Sequence, residues 1–551
     1  MNQGESLSSA IAPVGSTPSQ SGSYQSSLYN TALSKSLVPI SLLTNQQKWV
    51  MQRVKEGENV FIGGAAGTGK SALLCRIIAW AKKQYRSKNV AVTAPTGIAA
   101  RNISLIDGIS GRSIHSWAGI WTGKEDLNTL VERVQKSPSA TERWLNVKML
   151  IIDVVSMLDK SLFDKLESIA RRLRHTEDIF GGIQLVITGD FFQLPPVAPS
   201  RTSVFFAFEA NTWNKVIDSQ PIFLEKIFRQ NDRDFLDLLG AIRVGRLGDQ
   251  HIALLRKLER RIQYPDRVEA AQLFSNREDV ENYNNDRLDQ IDQDEIAYTS
   301  ADWEKYHGAF ASSMIAVDLL KLKLESQVML IKNIPVPGEH VNGDIGIVVD
   351  FFTLREAIER QIPIVGIAPD DSNPGGDVEF ALARVQEKLR LHEGSFDLEQ
   401  VWPAVLFTDK KTLLCPPQRF YVTGPDGKMV GCRFQLPLIL AWAISIHKSQ
   451  GQTFSRVVVD LSRIFEYGQM YVALSRATTM EGLEIRNLRD NPRNMPMAHP
   501  KVLSWYENWK NTGPTRRPKA SSPAKRKCSS STSPVLVNME SPSKRLKSSW
   551  C

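Results

Sequence analysis

Gly64-Ala-Ala-Gly-Thr-Gly-Lys-Ser71 fits the pattern GxxxxGK[ST], and its surroundings decide the fold. An apolar run, Val60 to Gly63, precedes it, and a helical pattern, Ala72 to Ala81, follows. In that strand–loop–helix setting, glycines let backbone N–H groups close around phosphate at a helix N-terminus. Gly64, Ala65, Ala66, Gly67, Thr68 and Gly69 supply the cradle, the Lys70 ammonium neutralises β- and γ-phosphates, and the Ser71 hydroxyl suits Mg²⁺. Such a loop requires a partner strand ending in Asp. Met149-Leu-Ile-Ile-Asp153 provides it, with Asp153 placed to hold Mg²⁺ through water. A third run, Leu185-Val-Ile-Thr-Gly-Asp190, leads into Phe191-Phe-Gln-Leu-Pro-Pro196. Gln193 there is suited to sense a γ-phosphate or order an attacking water, against the plainer role of a polar loop residue.

Outward from this loop, short apolar runs alternate with helical patterns: Val60 to Gly63, Val90 to Ala94, Met149 to Asp153 and Gln184 to Gly189. Strands alternating with helices predict an α/β fold whose parallel sheet is covered on both faces. A second set, Gln327 to Ile331, Gly346 to Phe351 and Arg456 to Asp460, predicts a second α/β domain. Residues 341–436 are punctuated by Pro and Gly and carry short strands such as Val401 to Phe407, which predicts a small β module inserted in that second domain. The expected division is therefore 1–39, 40–220, 221–340, 341–436, 437–510 and 511–551.

The chain has 551 residues, 42% hydrophobic and 23% charged, which is ample for several buried cores. No run approaches the roughly 18 apolar residues of a membrane span, so no membrane partner is expected. Five cysteines (Cys75, Cys415, Cys432, Cys528, Cys551) lie far apart without CxxC spacing, which fits a reducing compartment rather than a disulfide framework. The formal charge is +9, yet residues 511–551 hold nine Lys and Arg against Glu540 alone, so the tail carries nearly all of the excess. Total charge therefore says little about a nucleic-acid groove in the core. Residues 1–39 hold eleven serines and no apolar periodicity, so both termini read as disordered. Two basic clusters, Pro523 to Lys527 and Ser543 to Lys547, suggest nuclear import signals; a mitochondrial presequence is poorly supported because residues 1–39 contain no Arg.

Further motifs carry a resemblance to a known family. Leu43-Thr-Asn-Gln-Gln-Lys48, Ala94-Pro-Thr-Gly-Ile-Ala-Ala100, Ser113-Ile-His-Ser-Trp-Ala-Gly119, Gly189 to Pro196, Phe228-Arg-Gln230, Val341-Asn-Gly343, Leu436 to Gly451 and Tyr471-Val-Ala-Leu-Ser-Arg-Ala477 follow in order. Over about residues 40–490 the chain resembles the Pif (petite integration frequency) family of superfamily-one 5′-to-3′ DNA helicases. Ser161 to Arg174 resembles that family's signature; by itself it reads as an amphipathic helix with Leu162, Phe163, Leu166 and Ile169 on one face.

The resemblance implies two RecA-like P-loop domains with ATP between them, a small inserted β-barrel, and single-stranded DNA crossing both domains of a monomer. It implies that Gln47 reads adenine and that Arg229 and Arg476 reach the γ-phosphate, where guanidinium groups stabilise transferring charge. Pro95, Thr96, His115, Phe192, His447, Lys448, Ser449, Gln469 and Tyr471 fall at positions implied to line the strand, with Trp117 and Phe192 either stacking on bases or packing in the core. Substrates implied are single-stranded DNA and DNA with a 5′ overhang or fork, in genome maintenance. Telomeres, quadruplex structures and mitochondrial DNA stay open as the place of action, beside the nucleus.

One departure bears on chemistry. The family's magnesium strand normally reads Asp-Glu, the Glu positioning the attacking water, and here Asp153 is followed by Val154. An isopropyl group neither accepts a proton nor orients water. Two readings follow: a helicase motor in which another group positions the water, or an ATP-gated DNA clamp with impaired hydrolysis. Asp159 reads as a helix N-cap. The stretch Ile103 to Gly111 is longer than the usual connection to the His115 motif.

Overall fold

The structure, a computed structural model, describes residues 38–512 apart from 97–98, 101–110, 198–202, 218–220, 265–268, 305–315, 333–343, 369–376, 390–398, 408–409 and 424–428. The Ser-rich segment, the Val341-Asn-Gly343 motif, most of the Ile103 to Gly111 stretch and both basic clusters lie outside the described residues. Packing separates residues 1–503 from residues 504–551. The smaller unit holds the last turns of a helix, Pro500–Thr512. Among the described residues no helix is long and apolar enough to cross a membrane.

Strands β1 (Val60–Gly64), β2 (Val90–Ala94), β3 (Arg112–Ser113), β4 (Met149–Ile152), β5 (Gln184–Gly189) and β6 (Ile222–Leu224) form one sheet. Its order is β3-β2-β4-β5-β1-β6, and every neighbouring pair is parallel. β1, β2, β4 and β5 are buried along their whole length, which is why they read as unbroken apolar runs rather than alternating ones. Helix α1 (Asn45–Lys55) starts in a capping box: Gln47 N–H donates to Thr44 Oγ1 (3.1 Å) and Thr44 N–H to Gln47 Oε1 (2.9 Å). With α2 (Lys70–Gln84) it covers one face, Val50, Val54, Leu73 and Ile77 meeting Ile62, Val92 and Val186. The other face is aromatic: the Phe61 ring lies 5.5 Å from Phe191 and 5.6 Å from Trp213. Helix α3 (Lys160–Arg174) lays Phe163 on Trp213 at 5.3 Å and buries Leu162, Leu166 and Ile169 on the same face. Asp159 caps it, accepting from Leu162 N–H at 3.0 Å. Truncating one such Leu or Ile to Ala costs about 2–5 kcal/mol.

After α4 (Arg233–Val244) the chain enters β7 (Ala271–Phe274). It then makes β8 (Ile296–Thr299), β9 (Ala301–Glu304), β10 (Leu319–Leu322), β11 (Gln327–Leu330), β12 (Ile345–Phe352), β13 (Trp402–Phe407), β14 (Thr412–Leu414), β15 (Gln418–Thr423), β16 (Met429–Gln435) and β17 (Leu438–Leu440). It returns through β18 (Ala443–Ser445), β19 (Val457–Asp460), α5 (Gln469–Leu474) and β20 (Leu483–Arg486). A second parallel sheet results, in the order β18-β7-β19-β20. Its hydrophobic cluster takes in Phe235, Leu238 and Ile242 of α4, and also Ala66 and Leu194 from the first half.

The interposed strands are antiparallel: a five-stranded ladder β14-β13-β12-β11-β17, a three-stranded β15-β16-β9 and the pair β10-β8. Two expectations change here. Gln327 to Ile331 and Gly346 to Phe351, anticipated in the second α/β domain, pair antiparallel with each other (Gln327 opposite Ile347) inside the inserted ladder. An apolar run of strand length does not carry its partner's direction. The antiparallel strands accordingly begin at Ile296 and end at Leu440, beyond 341–436 on both sides. Among the described residues the five-stranded ladder is open rather than closed on itself.

Candidate nucleotide site and strand-binding surface

The loop between β1 and α2 is shaped by Gly67, at φ +79°, where a Cβ would lie 2.7 Å from Arg229 Cβ. Only glycine satisfies both the backbone and that approach. Thr68 Oγ1 donates to Ala65 O at 2.9 Å and braces the loop from inside. Lys70 Nζ donates to Gly64 O at 2.8 Å and Ala65 O at 2.9 Å. Burial pushes the Lys70 ammonium down to about 8, opposed by the carboxylates of Asp190 and then Asp153. Ser71 is exposed at the first turn of α2.

Asp153 follows β4 and accepts from Thr188 Oγ1 of β5. Burial raises its carboxyl above the ordinary range, against the pull of Thr188, Val154 N–H and Lys70. Val154 is half-buried at φ 54°, ψ 42°, a left-handed conformation that a β-branched residue rarely adopts. The half-buried Asp153 carboxylate and the exposed Ser71 hydroxyl are hard oxygen donors. With phosphate oxygens and water completing the shell, Asp153 and Ser71 fit a Mg²⁺ site of the P-loop kind.

The second half reaches this cleft from three sides. Tyr471 of α5 is buried, and its hydroxyl accepts from Ala66 N–H of the loop at 2.8 Å. Burial pushes that phenol up to about 12, so it stays protonated. Arg229, just past β6, donates from Nη1 to Ser475 O at 3.0 Å, and Gln230 Nε2 to Ala477 O at 2.8 Å. Arg476 is 2% exposed, and all three guanidinium nitrogens are engaged within its own half: Nε with Val472 O (2.8 Å), Nη1 with Gln452 O (3.1 Å) and Nη2 with Ser475 Oγ (3.0 Å). Burial, with the neighbouring Arg229 charge, pushes it down to about 9. Arg243 of α4 forks onto Asp190, Nε to Oδ2 at 3.1 Å and Nη2 to Oδ1 at 2.8 Å. Gln193 Oε1 accepts from Gln450 Nε2 at 3.3 Å. Gly468, at φ +74°, starts α5 hard against this turn: a Cβ there would lie 2.5 Å from Gln193 O and 2.6 Å from Phe192 O. Gln47 is buried with its Oε1 in the α1 cap.

The residues anticipated along a DNA strand divide. Pro95 and Thr96 are half-buried just past the carboxyl end of β2, where Thr96 Oγ1 accepts from Ala99 N–H at 3.2 Å. His115, also half-buried, follows β3, and burial holds its imidazole below the usual range against Asp159. His447 is exposed and Lys448 half-buried just past the carboxyl end of β18. Burial lowers the Lys448 ammonium, helped by Arg277. These lie on the loops where ligands of parallel sheets gather. Others point inward. Ser449 is fully buried and donates to Ile446 O at 2.8 Å. Gln469 is fully buried, accepting from Phe465 and Glu466 N–H and donating to Ser275 O at 3.1 Å. Tyr471 sits on the phosphate loop. Phe192 is 3% exposed beneath the Arg243 guanidinium, 4.3 Å from its ring centre. Trp117 packs on Trp144 at 4.6 Å in the core. Side-chain direction in loops and short helices depends on tertiary contacts, which motif position does not carry. Asp190, Thr188 and Arg243 had no assigned part; the first two stood in a quoted strand, while nothing local marks Arg243.

A phosphate loop at a β-strand–helix junction, a strand-end Asp in the same sheet, and arginines from the segment after β6 (Arg229) and from the second half (Arg476) define a P-loop nucleotide-binding protein of the two-halved kind. Residues 42–251 match the PIF1-like helicase family. The ATP-dependent DNA helicase PIF1 of Emericella nidulans is 41% identical over 481 residues, covering 84% of this chain and 62% of that protein. The crystal structure of Pif1 helicase from Candida albicans is 36% identical with a TM-score of 0.70, covering 85% of this chain and 99% of that one. Pif1 from Bacteroides, solved with ADP-AlF3 and ssDNA, is 26% identical with a TM-score of 0.57, covering 86% and 98%. The chain belongs to the PIF1-like helicase family, and it spans less than two thirds of the length of the curated relatives it matches, 62 and 65% for the first two.

Proposed function

We propose that the chain is an ATP-driven 5′-to-3′ DNA helicase motor that moves on single-stranded DNA in genome maintenance. The observation that carries this is one cleft: Lys70 opens α2 after the phosphate loop and Asp153 ends the β4 run, Tyr471 of the second half bonds Ala66 of that loop, Arg229 packs against its Gly67, and the Arg476 charge neighbours Arg229 and Tyr471. The relatives' names and the nucleotide and ssDNA of the Bacteroides structure support it. In this reading the two parallel sheets are RecA-like halves, and the antiparallel insertion, an open ladder among the described residues, stands in the place of the small barrel of such motors.

Loop amides and Lys70 hold the ATP phosphates. Ser71 and Asp153 would hold Mg²⁺, which supplies charge neutralisation on the β- and γ-oxygens. To engage a γ-phosphate, Arg229 and Arg476 would give up their present backbone-carbonyl and Ser475-hydroxyl acceptors, an exchange of weak neutral acceptors for a strongly charged one. Tyr471 ties closure of the halves to the loop. Pro95, Thr96 and His115 on one sheet and His447 and Lys448 on the other hold DNA phosphates without reading sequence. Closing and reopening the cleft then steps the strand. The tail's basic clusters would direct nuclear import, tested by the distribution of a tagged chain lacking residues 511–551.

Val154 favours the second reading, a clamp that grips DNA with ATP and hydrolyses slowly. Strand displacement on partial duplexes with a 5′ or a 3′ overhang tests both. ATP-dependent unwinding from the 5′ overhang alone, lost in Lys70→Ala, supports the motor. ATP-dependent DNA binding without unwinding selects the clamp.

A further inference from the structure

Strand β2 is paired unevenly. Its register with β4 runs from Val90 to Thr93, whereas β3 meets it at Thr93 and Ala94 alone. Asn89 O and Thr93 O accept from Lys148 and Asp153 N–H on the β4 side. By alternation Val90 and Val92 turn their backbone groups the other way, where no strand lies opposite Val90 to Val92 among the described residues. A cleft of about 410 Å³ borders this open edge, lined also by Trp117 and by the helix Pro138–Asn146. That helix is pinned in place. Asn89 Nδ2 donates to Asn146 O, and Arg143 donates from Nε to Trp117 O (2.8 Å), from Nη1 to Ser139 Oγ (3.4 Å) and from Nη2 to Ser116 O (3.3 Å). Two further cations line the cleft, Lys88 and Arg112. Lys88 is 57% exposed and holds Glu142 only at 3.7 Å, a surface pair of little worth. Arg112 is half-buried, and its Nη1, itself buried, meets no acceptor among the described residues. A buried donor left unpaired is costly, so a ligand that supplies an acceptor there gains binding energy.

We propose that this cleft is a docking slot for an extended acidic segment of a partner protein, which adds a short strand to the open edge of β2 and sets a carboxylate on Arg112. Main-chain bonds to Val90 and Val92 supply the register, and charge supplies the choice of partner. Lys88 precedes Thr93, the residue opposite Arg112, by five positions, about 16 Å along a strand. The segment that fits best therefore carries acidic groups near both ends of a run of about that length. A nucleic-acid strand fits less well, because it offers no ladder of N–H and C=O groups to the edge and meets the Glu142 carboxylate in the lining. The cleft borders the amino-terminal part of β2, whereas Pro95 and Thr96 follow its carboxyl end. The inference does not depend on the nucleotide reading.

The probe is the fluorescein-labelled peptide Asp-Glu-Val-Thr-Val-Glu-Asp, whose acidic pairs present a carboxylate to either face at each end, and anisotropy with the full chain is the readout. Saturable binding is expected; its absence below about 1 mM overturns the slot. Arg112→Gln should weaken binding by about tenfold or more, through loss of a charge-assisted bond, and leave oligothymidine affinity unchanged. The peptide with Asn and Gln in place of its acids should bind the wild type as weakly. Undiminished affinity in either case overturns the role of Arg112. The added strand is tested on the ligand, where folding of the chain is not at stake: N-methylation at both valines, or at the threonine, blocks alternate main-chain donors. One of the two should lose binding by about tenfold, and retention by both overturns the pairing. Oligothymidine that displaces the peptide, and itself loses affinity in Arg112→Gln, assigns the cleft to nucleic acid and overturns the proposal. If Arg112→Gln fails to fold by circular dichroism, Arg112→Lys decides, since it keeps the charge without the fork. Unreduced peptide affinity in that variant overturns the slot.

Discussion

Replacing Val154 by Glu tests the least ordinary feature of the cleft. The residue is half-buried at φ 54°, with its N–H turned to the Asp153 carboxylate. A left-handed backbone costs an L-residue about 1–2 kcal/mol, and β-branching adds to this. Glu at that position lacks the branch and places a carboxylate one residue from Asp153. General-base or water-orienting groups contribute about 10²–10⁴ in rate, equivalent to about 3–5 kcal/mol of barrier. Phosphate release at saturating single-stranded DNA should therefore rise by about two orders of magnitude or more. Val154→Gln relieves the same backbone without a proton acceptor and should fall well below Val154→Glu; Lys70→Ala sets the floor. Turnover of Val154→Glu within about twofold of a wild type that already runs far above that floor would refute the reasoning, because the water would then be governed from elsewhere.

Tyr471→Phe leaves the buried Ala66 N–H without its acceptor, at about 1–3 kcal/mol. The apparent KM for ATP should rise about tenfold with nucleotide-free DNA affinity unchanged, and steady-state kinetics beside anisotropy would show the reverse if Tyr471 touched the strand instead. Because Lys70 is pushed down to about 8 from 10.5, ATP affinity should fall between pH 7 and pH 9 as the ammonium is lost. Folding stability has the opposite slope: between about 8 and 10.5 the unfolded chain binds the proton that the folded one has released. Lys70's contribution thus rises with pH there, and Lys70→Met should remove that rise in denaturant titrations. Gly468→Ala forces a methyl onto two carbonyl oxygens at a positive φ, so thermal unfolding should drop by several degrees and turnover with it. An unshifted unfolding temperature would contradict the close approach.

The first sheet was legible because its signals are local. An apolar run, a phosphate loop and a helix stand within about twenty-five residues, and α3 announces itself through its buried stripe and the Asp159 cap. The second half was legible as motifs more than as architecture. Gln327 to Ile331 looks like any buried strand, and its antiparallel partner is set by the closing of the insertion. At the site, residue types were read more readily than directions. Ser449, Gln469, Tyr471 and Phe192 stand at positions associated with the strand, yet each is turned inward by packing that sequence position does not encode. Arg243 shows the far limit, since an arginine in an amphipathic helix carries no mark of the carboxylate it will meet 53 residues away in the chain.

The insertion has a consequence for how the chain is made. β18 pairs with β7 roughly 170 residues after it. On a ribosome, β7 emerges long before either of its neighbours, β18 and β19, exists, with both edges uncovered. Closing so wide a gap by chance is slow and entropically costly. The antiparallel ladder shortens it: Val328 lies opposite Leu440, so once β11 and β17 have met, the gap that remains is chiefly the segment from β7 to β11. That closure removes about 1 kcal/mol of the search, because gap entropy grows only with the logarithm of length. Assembly is therefore ordered by topology, the late-born ladder acting as a clasp that hands β18 to a strand waiting since before it was translated.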